Sequence, residues 1–148
     1  MTAPTRGIRN NNPANLRRTG DRWLGMRQQQ TDGAFVQFDT MAYGLRALIV
    51  VLRNYYTLHG LRTVRRIIAR FAPEGENDTA AYVEYVARIV GRGADEEIAC
   101  IDFRDAARFH NLTMLRLCYA ICRMESRYSM TVEEFERALE MALGEGLQ

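Results

Sequence analysis

No stretch of this sequence is apolar for long. The longest apolar run, Ala47 to Leu52, is far too short to cross a bilayer, which argues against membrane insertion. The opening MTAPTRGIRNNN is polar and lacks an apolar core, so the expectation is a protein made without a signal peptide. Cysteine is sparse and odd in number: Cys100, Cys118 and Cys122. Cys118 and Cys122 stand four apart on a predicted helix, so they share a face. No spacing of His or Cys completes a metal site, and core packing is the better reading; neither metal nor cofactor is expected. The cysteine usage fits a reducing compartment. The two histidines, His59 before Gly60 and His110 before a helix start, have no companions that suggest a ligand or a triad. There are no internal repeats and no low-complexity linkers, so residues 1–148 read as a single domain, long enough to bury a real core.

Lysine is absent altogether. The twenty basic residues are all arginine, and they are unevenly spread. Residues 1–70 carry twelve Arg against three Asp, a net +9; residues 71–148 carry eight Arg against fifteen acids, a net −7. Arg62, Arg65, Arg66 and Arg70 fall at helical spacing on one face. That stripe reads as a solvated face or, alternatively, as a nucleic-acid contact.

The pattern predicts a short β region followed by helices, a mainly α (α+β) fold. Arg6 to Arg18, rich in Asn and holding Pro13, reads as a loop. Trp23–Arg27 and Ala34–Phe38 flank Thr31-Asp32-Gly33, and Asp-Gly favours a hairpin turn. Thr40 caps a long helix, Met41 to His59, closed by Gly60. Thr63 caps a second, Val64 to Phe71, stopped by Pro73. Asn77 or Asp78 caps a third, Thr79 to Val90, closed by Gly91, and Asp102 to Phe109 forms a short fourth. Leu112 to Arg127 is the fifth, with Leu115, Cys118, Ile121, Cys122 and Met124 inward. Thr131 with Glu134 is a capping box for Val132 to Leu143.

One carboxylate stands out chemically. The apolar helix LCYAICRMES ends in Glu125 and Ser126, beside the negative end of the helix dipole and the edge of an apolar face. Both effects favour a neutral carboxylic acid, the form that protonates a leaving group. A solvated helix-end residue paired with Arg127 is the competing reading. Glu76, in the polar turn GENDT, is a rival acid with nothing obvious to raise its pKa. Asp32 and Asp39 are candidates for a second carboxylate, Asp32 with a simpler role as turn residue.

Three segments carry a family resemblance: NNPANLR (Asn11–Arg17) with TDGAFVQFDT and YGLRALIVVLRNYY, then APEGENDTAAYVEYV, then AICRMES. In that order, over roughly residues 6–128, the chain resembles the phage and prophage virion-associated lytic transglycosylases, or muramidases, of the lysozyme superfamily. One departure is Ala14, where the family motif has glycine. The same parts occur in another order in soluble lytic transglycosylases, so the resemblance implies a circularly permuted, lysozyme-like helical domain with one N-terminal β-hairpin.

The resemblance implies peptidoglycan glycan strands as partner and Glu125 as the catalytic acid. It also implies a protein made in the bacterial cytoplasm, then virion-associated or released to reach the wall. A non-catalytic wall-binding virion component with the same shape is the alternative. Asn11, Asn12 and Asn15 offer amides suited to sugar hydroxyls and acetamido groups, or to loop structure. Phe35 and Phe38 are stacking candidates, but their opposite parity makes one of them core. Trp23 reads as core. Tyr82 follows the family's tyrosine-bearing segment, and Ser126 accompanies Glu125.

Overall fold

The computed structural model describes residues 3–98 and 112–144. The expected helix at Asp102–Phe109, and with it Cys100 and His110, lies outside the described residues. Six helices are present among the described residues: α1 (Arg6–Arg9), α2 (Met41–Thr57), α3 (Val64–Phe71), α4 (Thr79–Val90), α5 (Leu112–Ser126) and α6 (Val132–Gly144). The chain groups into two compact units. One holds residues 1–50 and 121–148, the other residues 51–120. The protein is mainly helical, and no helix among the described residues is long and apolar enough to cross a membrane.

Helix boundaries follow local chemistry. The Thr40 hydroxyl accepts from Tyr43 N at 3.3 Å to open α2. Thr63 accepts from Arg66 N at the start of α3, and Asp78 from Ala81 N at the start of α4. Gly91, with φ 78°, closes α4 in the left-handed conformation that glycine adopts without strain. The Thr131–Glu134 capping box forms in full: Thr131 N donates to Glu134 Oε1 at 2.9 Å and Glu134 N to Thr131 Oγ1 at 3.1 Å. Helix α2 is shorter than expected, ending at Thr57 rather than His59.

In the second unit, Val64, Ile67 and Ile68 of α3 and Tyr82, Val83 and Val86 of α4 are buried. Met114, Leu117 and Cys118 of α5 are buried there as well. The arginine stripe is exposed in this unit. Arg65 makes a bidentate pair with Asp95 at 2.7 and 3.2 Å, and Arg62 and Arg70 lie over the rings of Tyr56 and Tyr55.

In the first unit, the N-terminal segment departs from the expected loop. Thr5 caps a single helical turn, α1, by accepting from Ile8 N. The expected hairpin is not formed as a ladder. Met26 and Phe38 meet at an isolated antiparallel bridge, while Phe35 bridges Arg17 instead. Side-chain amides take the place of ladder bonds. Gln30 Nε2 donates to Arg27 O and Gln37 O, and Gln30 Oε1 accepts from Gln37 N. Gln37 Oε1 in turn accepts from Thr31 N at 2.6 Å.

Asp32 is not the centre of a tight Asp-Gly turn, since neither it nor Gly33 has positive φ. Its Oδ1 accepts from Ala34 N and Phe35 N, its Oδ2 accepts from Asn10 Nδ2, and the Arg6 guanidinium grips both oxygens at 2.6 and 2.7 Å. These bonds, Arg6 first, hold the carboxyl far below the usual aspartate range. A depressed folded-state value stabilises the protein above the ordinary aspartate pKa of about 4, and that contribution fades as pH falls below it. Accordingly, the wild-type melting temperature should drop on acidification below about pH 4. Asp32→Asn should melt lower at neutral pH and lose part of that slope. Melting curves from pH 7 downward check it; parallel profiles would contradict the role.

Candidate active site

Glu125 lies half-buried in the last turn of α5, and the residues around it come from the other end of the sequence. Asn15 Nδ2 donates to the Glu125 carbonyl at 3.0 Å and, more weakly, to Glu125 Oε1 at 3.4 Å. The Ser126 hydroxyl donates to Pro13 O at 2.7 Å, and the Thr5 hydroxyl donates to Ser126 O at 2.8 Å. The segment from Thr5 to Asn15 therefore clamps the C-terminal turn of α5 in three places.

Two glycines permit the clamp. A Cβ on Gly7 would sit 2.7 Å from Ser126 Cβ and 2.9 Å from Asn12 O. On Gly44, in the first turn of α2, it would sit 2.0 Å from Asn11 O. Gly44 thus lets α2 pack directly against the backbone of the asparagine loop. Beyond Glu125 the chain reverses sharply at Arg127, whose φ is 61°. Arg123 holds the reversal by donating to Arg127 O at 2.6 Å and to Ser129 Oγ at 3.1 Å.

Tyr128 donates to Glu134 Oε2 in a short hydrogen bond, and burial with that carboxylate raises the phenol above its ordinary range. Cys122, one turn before Glu125, is fully buried. Burial, with the Glu134 and Glu125 carboxylates adding to it, pushes its thiol well above the usual value. A thiol so held is a packing group and not a nucleophile.

The other residues singled out in the sequence fall in different places. Asn12 is fully buried and spent on structure: its Nδ2 donates to Leu16 O and Val36 O, and its Oδ1 accepts from Leu16 N. Its amide builds the loop. Asn11 Nδ2 likewise donates to Phe38 O and Asp39 O, both at 3.2 Å. Phe38 is the core member of its pair, with 0% exposure. Phe35 is half-exposed, with the Arg6 and Arg17 guanidinium groups 4.6 and 5.2 Å from its ring centre. A sugar stacking on Phe35 would meet those cations. Ser126 is buried, its hydroxyl committed to backbone carbonyls.

Tyr82 is a buried residue of α4 in the second unit. Trp23, expected in the core, is half-buried, and Met124, expected inward, is 41% exposed. Ala14 is fully buried without positive φ, so alanine fits there in place of the motif's glycine. The left-handed positions of the loop are Asn11 and Asn15, both with φ 52°. Glu76 and Asp39 are exposed. Among the described residues no cluster of His, Cys, Asp or Glu is arranged to hold a metal.

Sequence reasoning missed Thr5, Gly7 and the Asp32 hub. A signal for Thr5 was present, because a threonine three residues before Ile8 is a capping pattern. It also missed Arg46 and Arg53, both only 2% exposed. Their seven-residue spacing puts them on one face of α2, a charged stripe within an apolar helix.

The fold and site therefore define a mainly helical protein whose clamped helix end presents one half-buried carboxylate. No family model matches the chain. Over 89 residues it is 43% identical to Protein P5 of Pseudoalteromonas phage PM2. The match takes in 58% of this chain and 56% of that protein, so it spans about half the length of the curated relative.

Proposed function

We propose that this protein is a phage-type, peptidoglycan-cleaving glycosidase of the lysozyme superfamily, circularly permuted, with Glu125 as general acid and base. The observation that carries the reading is the clamp: the loop of the NNPANLR motif is hydrogen-bonded to Glu125 itself. Two of the three segments that carry the family resemblance are thus hydrogen-bonded to each other across more than a hundred residues of sequence. The likeness to a phage protein supports the phage part of the reading.

In this mechanism the Glu125 carboxyl protonates the glycosidic oxygen between N-acetylmuramic acid and N-acetylglucosamine, and the C1–O bond breaks. The muramic N-acetyl oxygen stabilises the oxocarbenium-like centre. The Glu125 carboxylate then takes the proton of the C6 hydroxyl as that oxygen closes on C1, giving a 1,6-anhydro product. One carboxylate serves both steps, so Asp32, engaged by Arg6 and the loop, is not required.

Purified sacculi incubated with the protein test the reading. Release of soluble glycan fragments is expected. Binding of the protein to sacculi with no release would instead favour a non-catalytic virion component.

A further inference from the structure

Asn15 stands out among the loop asparagines for its buried, unsatisfied side-chain oxygen. Its backbone holds φ at 52°, a region glycine adopts freely and other residues rarely do. Among the described residues its buried Oδ1 has no hydrogen-bond partner, and it lies where a side chain on Gly7 would collide with it. Buried acceptors are ordinarily satisfied, and those left over gather where function constrains the geometry.

The unsatisfied Oδ1 follows from aiming Nδ2 at Glu125. The amide turned over would bring Oδ1 against the Glu125 carbonyl and carboxylate, two acceptors facing a third. As built, one NH2 group reaches the main chain of Glu125 at 3.0 Å and its carboxylate at 3.4 Å. A glycine would satisfy the backbone alone and supply neither contact.

We infer that Asn15 is a positioning residue, whose amide fixes the Glu125 side chain relative to the end of α5 rather than contacting sugar. The inference rests on the Glu125 reading for its consequence in catalysis, but the positioning itself is readable without activity.

The test is Asn15→Gly. Glycine tolerates the left-handed backbone, so an Asn15 that only clamps the main chain predicts a folded protein with a lower melt and an unchanged Glu125 rotamer. Positioning predicts the same fold by circular dichroism, a melt lowered only by the lost bond to the Glu125 carbonyl, and a different Glu125 side chain. Its Hα–Hβ couplings, those of a single rotamer in the wild type, should average. Turnover on solubilised glycan strands should fall about tenfold to a hundredfold with KM little changed.

A single rotamer and full turnover in Asn15→Gly would overturn the inference while leaving Glu125 as the acid. Averaged couplings in a protein whose wild type cleaves nothing would uphold the positioning and reject the glycosidase reading. Should Asn15→Gly fail to fold, Asn15→Asp keeps the side-chain shape but replaces the donor with an acceptor. It must also release the Glu125 rotamer, and retention of one rotamer there would overturn the inference.

Discussion

Glu125→Gln is expected to abolish release of soluble fragments from purified peptidoglycan, by about a thousandfold or more, while leaving the melting temperature nearly unchanged. The size follows from what a positioned general acid contributes, about a hundredfold to ten-thousandfold. Here the same group serves twice, so its loss removes both protonation of the leaving group and activation of the C6 hydroxyl. The small stability effect follows from the local geometry. Glutamine keeps an oxygen for the Asn15 amide, and the main-chain bond from Asn15 to the Glu125 carbonyl is untouched. The neighbouring bonds from Thr5 and Ser126 do not involve the substituted group. Equal release by wild type and variant would remove Glu125 from the chemistry.

Gly44→Ala is expected to lower stability by about 3 kcal/mol, against the usual sign for a helix. At an ordinary helical site alanine is favoured over glycine by about 1 kcal/mol. At Gly44 the added methyl would sit 2.0 Å from Asn11 O and 3.1 Å from Pro13 Cδ. Neither is the loose end of a side chain. One is a backbone carbonyl and the other a ring locked to the backbone, so the helix and the loop must separate. Because Asn11 Nδ2 also holds Phe38 O and Asp39 O, the shift would travel into the segment leading to α2. A loss of that size lowers the melting temperature by roughly 6–12 °C for a chain of this length. Gly33→Ala, where no heavy atom of the described residues lies within 4 Å of the new methyl, supplies the contrast and should melt like the wild type. A Gly44→Ala protein as stable as the wild type would show that the close approach is absent in solution.

What was legible in the sequence was local. Caps at Thr40, Thr63, Asp78 and Thr131 each depend on residues three positions apart, and all form where expected. The burial of Cys118 and Cys122 followed from helical period. Period alone misled at Met124, because the buried face of α5 runs through Met114, Leu117, Ile121 and Cys122 and leaves Met124 exposed. The hairpin misled for a different reason. Alternation and an Asp-Gly pair encode a ladder with a tight turn. Gln30, Gln37 and Asp32 instead bond the backbone with their side chains and occupy groups a ladder would use.

The candidate site was partly legible. Glu125 and the asparagine loop were each singled out, but their roles could not be separated by sequence. Asn11, Asn12 and Asn15 have the same side chain, and only long-range partners distinguish two loop-builders from the one that reaches Glu125. Bonds between residues more than a hundred positions apart, such as Thr5 with Ser126, leave no periodic trace.

The most direct test of the central claim is mass spectrometry of the soluble fragments released from purified peptidoglycan by the wild-type protein. The account predicts muropeptides ending in 1,6-anhydro-N-acetylmuramic acid, each one water lighter than the hydrolysis product. Fragments with ordinary reducing ends would keep Glu125 as the acid but replace the C6 hydroxyl with water, and the absence of any glycan cleavage would contradict the account.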